Sequence, residues 1–138
     1  MKIQQKLNIP TNFFYRKIVD SVLYDIRTQT GDTISEDQLE GYSYIKQFTK
    51  TTSARITITK LIPNEVYYYT THSNQSDFDV KYEMKSLNAH QTEVIYQENA
   101  KTKGGFIRQM NDMFVGAILG FVRRRNFKKM LLQIEQSY

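Results

Sequence analysis

Few side chains that could hold a proton, a metal or a charge are grouped along this sequence. His72 and His90 are the only histidines. Neither has a second histidine or a carboxylate at metal-ligand spacing, so both read as solvent-side loop residues and no metal is expected. Asp77, Asp79 and Glu83 lie near one another. Asp79 and Glu83 alternate with Lys81, which suits a salt-bridged wet strand face better than an acid–base pair. Lys103-Gly104-Gly105 lacks the remaining positions of either nucleotide-binding glycine motif. There is no cysteine, which excludes disulfides, iron–sulfur clusters, thiol redox chemistry and cysteine-bound zinc. No catalytic residue is assigned, no cofactor is expected, and the chain reads as non-enzymatic.

The aromatic residues are more informative. Ten tyrosines and eight phenylalanines occur without tryptophan. Tyr42, Tyr44, Tyr67, Tyr68, Tyr69, Tyr82 and Tyr96 fall in predicted strands. Strand propensity and an ordinary core account for many of them. A buried tyrosine must still satisfy its hydroxyl, so a tyrosine-rich inner face also suits a pocket holding water or a polar-tipped ligand. Strand alternation places Tyr68 on one side and Tyr67 and Tyr69 on the other.

The positive charge is concentrated at one end. The net charge is +5, yet residues 101–138 hold 8 of the 19 basic and only 2 of the 14 acidic side chains. Arg123, Arg124, Arg125, Lys128 and Lys129 form most of this excess. A solvated helix end meeting the helix dipole explains them simply. A surface for nucleic acid or anionic lipid is the alternative. Nucleic acid is disfavoured, because the patch spans about one and a half turns and matches no binding motif, and no lipidation signal supports membrane anchoring.

These residues need elements to position them. Ile3, Gln5 and Leu7 alternate with Lys2, Gln4 and Lys6 in a short opening strand. Pro10 permits a helix to begin there or just after. Phe14, Ile18, Val22 and Ile26 step by four, with Val19 and Leu23 beside them, so a helix is predicted over 12–28, stopped by Gly31. Ser35 and Gln38 have capping-box spacing for a short helix closed by Gly41. The period then becomes two, predicting strands at 42–49, 54–62, 65–72, 78–86 and 92–99. Their short, turn-rich connections imply an antiparallel meander. After Gly104-Gly105, one long helix is predicted over 106–136. Gly116 and Gly120 lie inside it, each costing about 1 kcal/mol relative to alanine. Close packing, or room for a ligand, would offset that.

At 138 residues, the expectation is one domain spanning 1–138. The N-terminus has no apolar core of signal-peptide length. The most apolar run, 113–122, is about half a membrane span. We therefore expect a cytoplasmic protein without a membrane span.

The order strand, helix, short helix, five strands and long helix resembles the helix-grip fold of the START and polyketide-cyclase superfamily (SRPBCC). Phe14-Tyr15, Asp20-Ser21, Tyr24-Asp25-Ile26, Thr30-Gly31, Leu39-Glu40-Gly41-Tyr42-Ser43-Tyr44 and Ile58-Thr59-Lys60-Leu61 resemble a family of short bacterial proteins catalogued as a domain of unknown function. The resemblance implies an α+β fold, a twisted antiparallel sheet of about six strands wrapped around a long C-terminal helix. One medium and one short helix follow the first strand. It supplies no catalytic residue. It implies a cavity between sheet and helix that holds a small apolar or amphipathic ligand.

We expect Phe14, Ile18, Tyr44, Ile58, Tyr68, Tyr82, Tyr96, Met110, Phe114, Ala117 and Phe121 to line that cavity. The alternative is an interaction or regulatory domain with a filled cavity, whose basic C-terminal helix meets a protein partner or a second copy. An enzyme would need an ionisable pair converging inside the cavity.

Overall fold

The computed structural model describes residues 1–74, 76–102 and 124–138. Strand β1 spans Lys2–Leu7, with Ile3 and Leu7 buried and the lysines exposed. Ile9 is buried next, and Pro10 then sits in extended conformation at the start of helix α1, Thr11–Thr30. The helix starts one residue earlier and ends two residues later than the apolar stripe predicts. The four-residue spacing buries Phe14, Ile18 and Ile26, with Tyr15 and Val19 alongside. Gly31 ends it at φ 79°, its N–H donating to the Arg27 carbonyl at 2.8 Å. That left-handed backbone is one that glycine adopts without a steric penalty.

The predicted short helix is a single 3₁₀ turn, Glu36–Gln38, where the Ser35 backbone N–H donates to Gln38 Oε1 at 3.0 Å. The strands follow as β2 (Ser43–Gln47), β3 (Ser53–Ile62), β4 (Val66–His72), β5 (Ser76–Asn88) and β6 (Gln91–Thr102). All pairings are antiparallel, and the sheet order is β1-β6-β5-β4-β3-β2. The meander runs from β2 to β6, and β1 closes onto β6.

One face carries the core. Its rows can be read across the register. Ile3 opposes Tyr96, Tyr96 opposes Tyr82, and Tyr82 opposes Tyr67. In the next row Glu98 opposes Val80, Val80 opposes Tyr69, and Tyr69 opposes Ile58. The register slips between Ile58 and Lys60, so Tyr68 faces Lys60 across the ladder. A bulge of this kind bends the strand and increases its twist.

Of the helix expected over 106–136, residues 106–123 lie outside the described residues, and 124–136 are helical; we call this segment α2. Its Leu131 is fully buried. Phe127 packs on Tyr96 with centroids 4.1 Å apart and on Tyr82 at 5.9 Å. Its C-terminal end is pinned to the start of the chain. Glu135 Oε2 accepts from the Asn8 backbone at 2.9 Å, and Tyr138 meets Phe13 edge-on at 4.8 Å. The architecture is α+β, a six-stranded antiparallel sheet with two helices. No described helix is long and apolar enough to cross a membrane.

Candidate functional site

A cavity of about 810 Å³ lies over the inner face. Its wall comes from four sources. Helix α1 gives Ile18, Val22 and Asp25; β2 and β3 give Tyr44 and Ile56; β4 to β6 give Tyr67, Tyr69, Phe78, Val80, Tyr82, Tyr96 and Glu98; α2 gives Met130 and Ile134. Exposed residues such as Phe48, Thr52 and Asn74 form a rim.

The floor is aromatic. Tyr67 stacks on Tyr82 at 5.6 Å and lies 5.3 Å from Tyr69, while Tyr82 meets Tyr96 edge-on at 5.0 Å. Such pairs add about 0.5–1.5 kcal/mol each beyond area burial. At the deep side Tyr96 donates its hydroxyl proton to Glu98 Oε2 at 2.5 Å, with both residues buried. Burial, and then that carboxylate, push the Tyr96 hydroxyl far above its ordinary range. Tyr67 and Tyr82 are raised mainly by burial. These hydroxyls stay protonated at neutral pH.

A second polar group closes the α1 side. Tyr44 Oη donates to Asp25 Oδ2 at 2.5 Å, and Lys46 Nζ is 3.2 Å from Asp25 Oδ1. Burial followed by this hydrogen bond raises Tyr44 strongly. One turn further along α1, Gln29 Oε1 accepts from the Gln47 backbone N–H at 2.9 Å. The edge strand β2 is thereby tied to the helix by side chains at three positions.

The expected residues divide clearly. Ile18, Tyr44, Tyr82 and Tyr96 border the cavity. Phe14 and Ile58 are fully buried in the packed core and are not part of its wall. Tyr68 is corrected, because β4 turns Tyr67 and Tyr69 inward and Tyr68 to the opposite face. There its hydroxyl donates to Glu83 Oε1 at 3.1 Å, and Lys60 and Lys81 lie over its ring at 5.7 and 5.2 Å. Met110, Phe114, Ala117 and Phe121 lie outside the described residues, as do Met113, Gly116, Gly120 and Arg123.

His72 is exposed, as expected, and gains a carboxylate neighbour that was not foreseen. It ends β4, and its Nδ1 lies 2.7 Å from Asp77 Oδ1 across the hairpin. Adjacent strands supply the carboxylate that linear spacing did not. His90 is exposed in the two-residue turn between β5 and β6. Lys81 forms no ion pair with Asp79 or Glu83 and lies over Tyr68 instead. Among the described residues no three His, Asp or Glu side chains are grouped to hold a metal.

Sequence reasoning missed Tyr69, Asp25 and Glu98. The signal for Glu98 was present, since Val94, Tyr96 and Glu98 share one parity on β6. Its charge argued for the wet face. Parity wins because the Tyr96 hydroxyl meets it inside.

A family model described as Domain of unknown function (DUF3284) matches residues 1–120. The chain is similar in fold to the Zhui aromatase/cyclase from Streptomyces sp. R1128, with 12% identity, TM-score 0.63, and 99% of this chain and 93% of that one covered. A START superfamily protein from Mycobacterium smegmatis aligns over 100% and 98% of the two chains, at 8% identity and TM-score 0.64. A conserved protein from Geobacillus kaustophilus aligns over 99% and 95%, at 17% identity and TM-score 0.58. No curated protein matches the chain. The chain shares the fold of these aromatase/cyclase and START superfamily proteins.

Proposed function

The chain belongs to the DUF3284 family, and from that premise we propose that it is a non-enzymatic binding module for a small apolar or amphipathic molecule. The supporting observation is the cavity of about 810 Å³ over an inner face where Tyr67, Tyr69, Tyr82 and Tyr96 adjoin Glu98. That volume lies in the range of small-molecule sites. Aromatic rings offer apolar area, and tyrosine hydroxyls with one carboxylate offer a few directional partners. Such a wall suits a ligand with a flat apolar body and a polar tip. Ile18, Tyr44, Tyr82, Tyr96, Met130 and Ile134 are its proposed contacts.

Native mass spectrometry of the protein purified from its own host tests this. A co-purifying small molecule, lost on Tyr82→Ala, is the expected result. Recovery of only the bare chain, together with no binding from a library of aromatic amphiphiles, would overturn it.

One observation favours a second reading. Glu98 is a buried carboxylate at the cavity wall, and a chain of similar fold is described as an aromatase/cyclase. As an acid–base group, Glu98 would have to reach a ligand proton. Turnover of a bound ligand that stops in Glu98→Gln, while binding persists, would make the protein an enzyme.

A further inference from the structure

We propose that the outward face of α2 is a docking surface for an anionic lipid bilayer. In this helix Phe127, Met130, Leu131 and Ile134 turn toward the sheet, while Arg124, Arg125, Lys128, Lys129 and Leu132 are exposed. At about 100° per residue, Arg124, Lys128, Leu132, Arg125 and Lys129 fall near 0°, 40°, 80°, 100° and 140° around the axis. The four cations therefore share one broad face, although the two arginines are adjacent in sequence. Leu132, 43% exposed, falls within that arc, one turn beyond Lys128 towards the helix C-terminus.

Two ordinary explanations for these cations fail. The helix dipole acts over the last turn, but Lys129 is seven positions before the helix ends at residue 136. Neutralisation by neighbours fails as well. Among the described residues, none of the four has a carboxylate at ion-pair distance. The four exposed cations thus form a positive face that no neighbour neutralises, and an external anionic surface would complement it.

The composition of the face selects a membrane over nucleic acid. An exposed apolar side chain flanking the cations can enter the headgroup region, and has no role against a row of phosphates. No exposed aromatic ring lies among the four cations to stack on a base. The apolar side of the helix is already buried, so contact is shallow and electrostatic. The opposite side of the same helix supplies Met130 and Ile134 to the cavity. This inference does not depend on the cavity holding a ligand.

Vesicle flotation of the full chain tests it, comparing phosphatidylcholine with phosphatidylcholine containing about 30 mol% phosphatidylserine. We expect binding only to the anionic vesicles, weakened as salt rises. Each cation near such a surface contributes roughly fivefold, so neutralising all four with R124Q, R125Q, K128Q and K129Q should lower the affinity several-hundredfold. The four side chains are exposed, so the melting temperature should not move; should the quadruple variant melt early, R125Q alone should still show about a fivefold loss. Leu132→Gln should weaken binding severalfold and leave its salt dependence intact. Equal binding to both vesicles, or full binding by the charge-neutral variants, would overturn the proposal. So would tighter binding to a short DNA duplex than to anionic vesicles with no effect of Leu132→Gln.

Discussion

Replacing Tyr96 by phenylalanine removes one oxygen atom and isolates one buried polar contact of the inner face. The hydroxyl donates to Glu98 Oε2 at 2.5 Å, and Tyr96 and Glu98 are 5% and 7% exposed. A hydrogen bond to a charged group contributes about 1.5–3 kcal/mol, towards the upper end where water cannot replace the lost donor. The ring remains, so its contacts with Tyr82 and Phe127 should survive. For a chain of this size the loss lowers Tm by about 5–15 °C.

Glu98→Leu in the same background separates this bond from everything else the carboxylate does. Equilibrium urea unfolding of the wild type, both single variants and the double variant forms a thermodynamic cycle. The coupling energy should be about 1.5–3 kcal/mol, with m unchanged. Additive effects, with coupling below about 0.5 kcal/mol, would refute a buried hydrogen bond between these residues.

Two further expectations follow from the same core. Burial, with help from Glu36, pushes Tyr15 up to about 12, and Tyr44, Tyr67, Tyr82 and Tyr96 are also raised. A folded-state pKa above the unfolded value means that this stability is complete below about pH 10 and is lost as pH rises further. Tyrosinate absorbance should therefore rise in two stages, the second coinciding with loss of structure; ten tyrosines titrating together near pH 10 without unfolding would contradict it. Leu131→Ala, at a fully buried site of α2, should cost about 2–5 kcal/mol in urea unfolding, and a loss under about 1 kcal/mol would show that α2 is not docked as described.

Alternation made most of the sheet legible. Ile56 and Ile58, and Val80, Tyr82 and Met84, fall on the inner face in the order their sequence implies. The step by four from Phe14 to Ile26 did the same for α1. Alternation holds at Tyr67-Tyr68-Tyr69, but three like residues carry no mark of which parity is inward, and the inward choice of Tyr68 is the wrong one. The register slip beside Thr59 removes the help a partner strand would give. Asp25 was invisible for another reason. Its partners Tyr44 and Lys46 come from β2, and the meeting of helix and edge strand is a tertiary event. His72 and Asp77 were likewise joined by a hairpin rather than by spacing. Arg124 and Arg125 share a broad face with Lys128 and Lys129 once Leu131 shows which side of the helix is buried.

The pairing of β1 with β6 also bears on how the chain is made. Ile3 lies opposite Tyr96, and the Thr92 hydroxyl donates to the Ile9 carbonyl 83 positions earlier at 2.8 Å. A ribosome delivers β1 long before its partner exists. Strands β2 to β5 can zip as successive local hairpins during synthesis, but β1 remains an unpaired edge until β6 emerges. Closing that long loop is an entropic cost met late. The nascent chain therefore exposes a strand with Ile3 and Leu7 for most of its synthesis. Its two lysines and two glutamines, Lys2, Gln4, Gln5 and Lys6, interrupt the apolar positions and protect that edge from pairing with another chain.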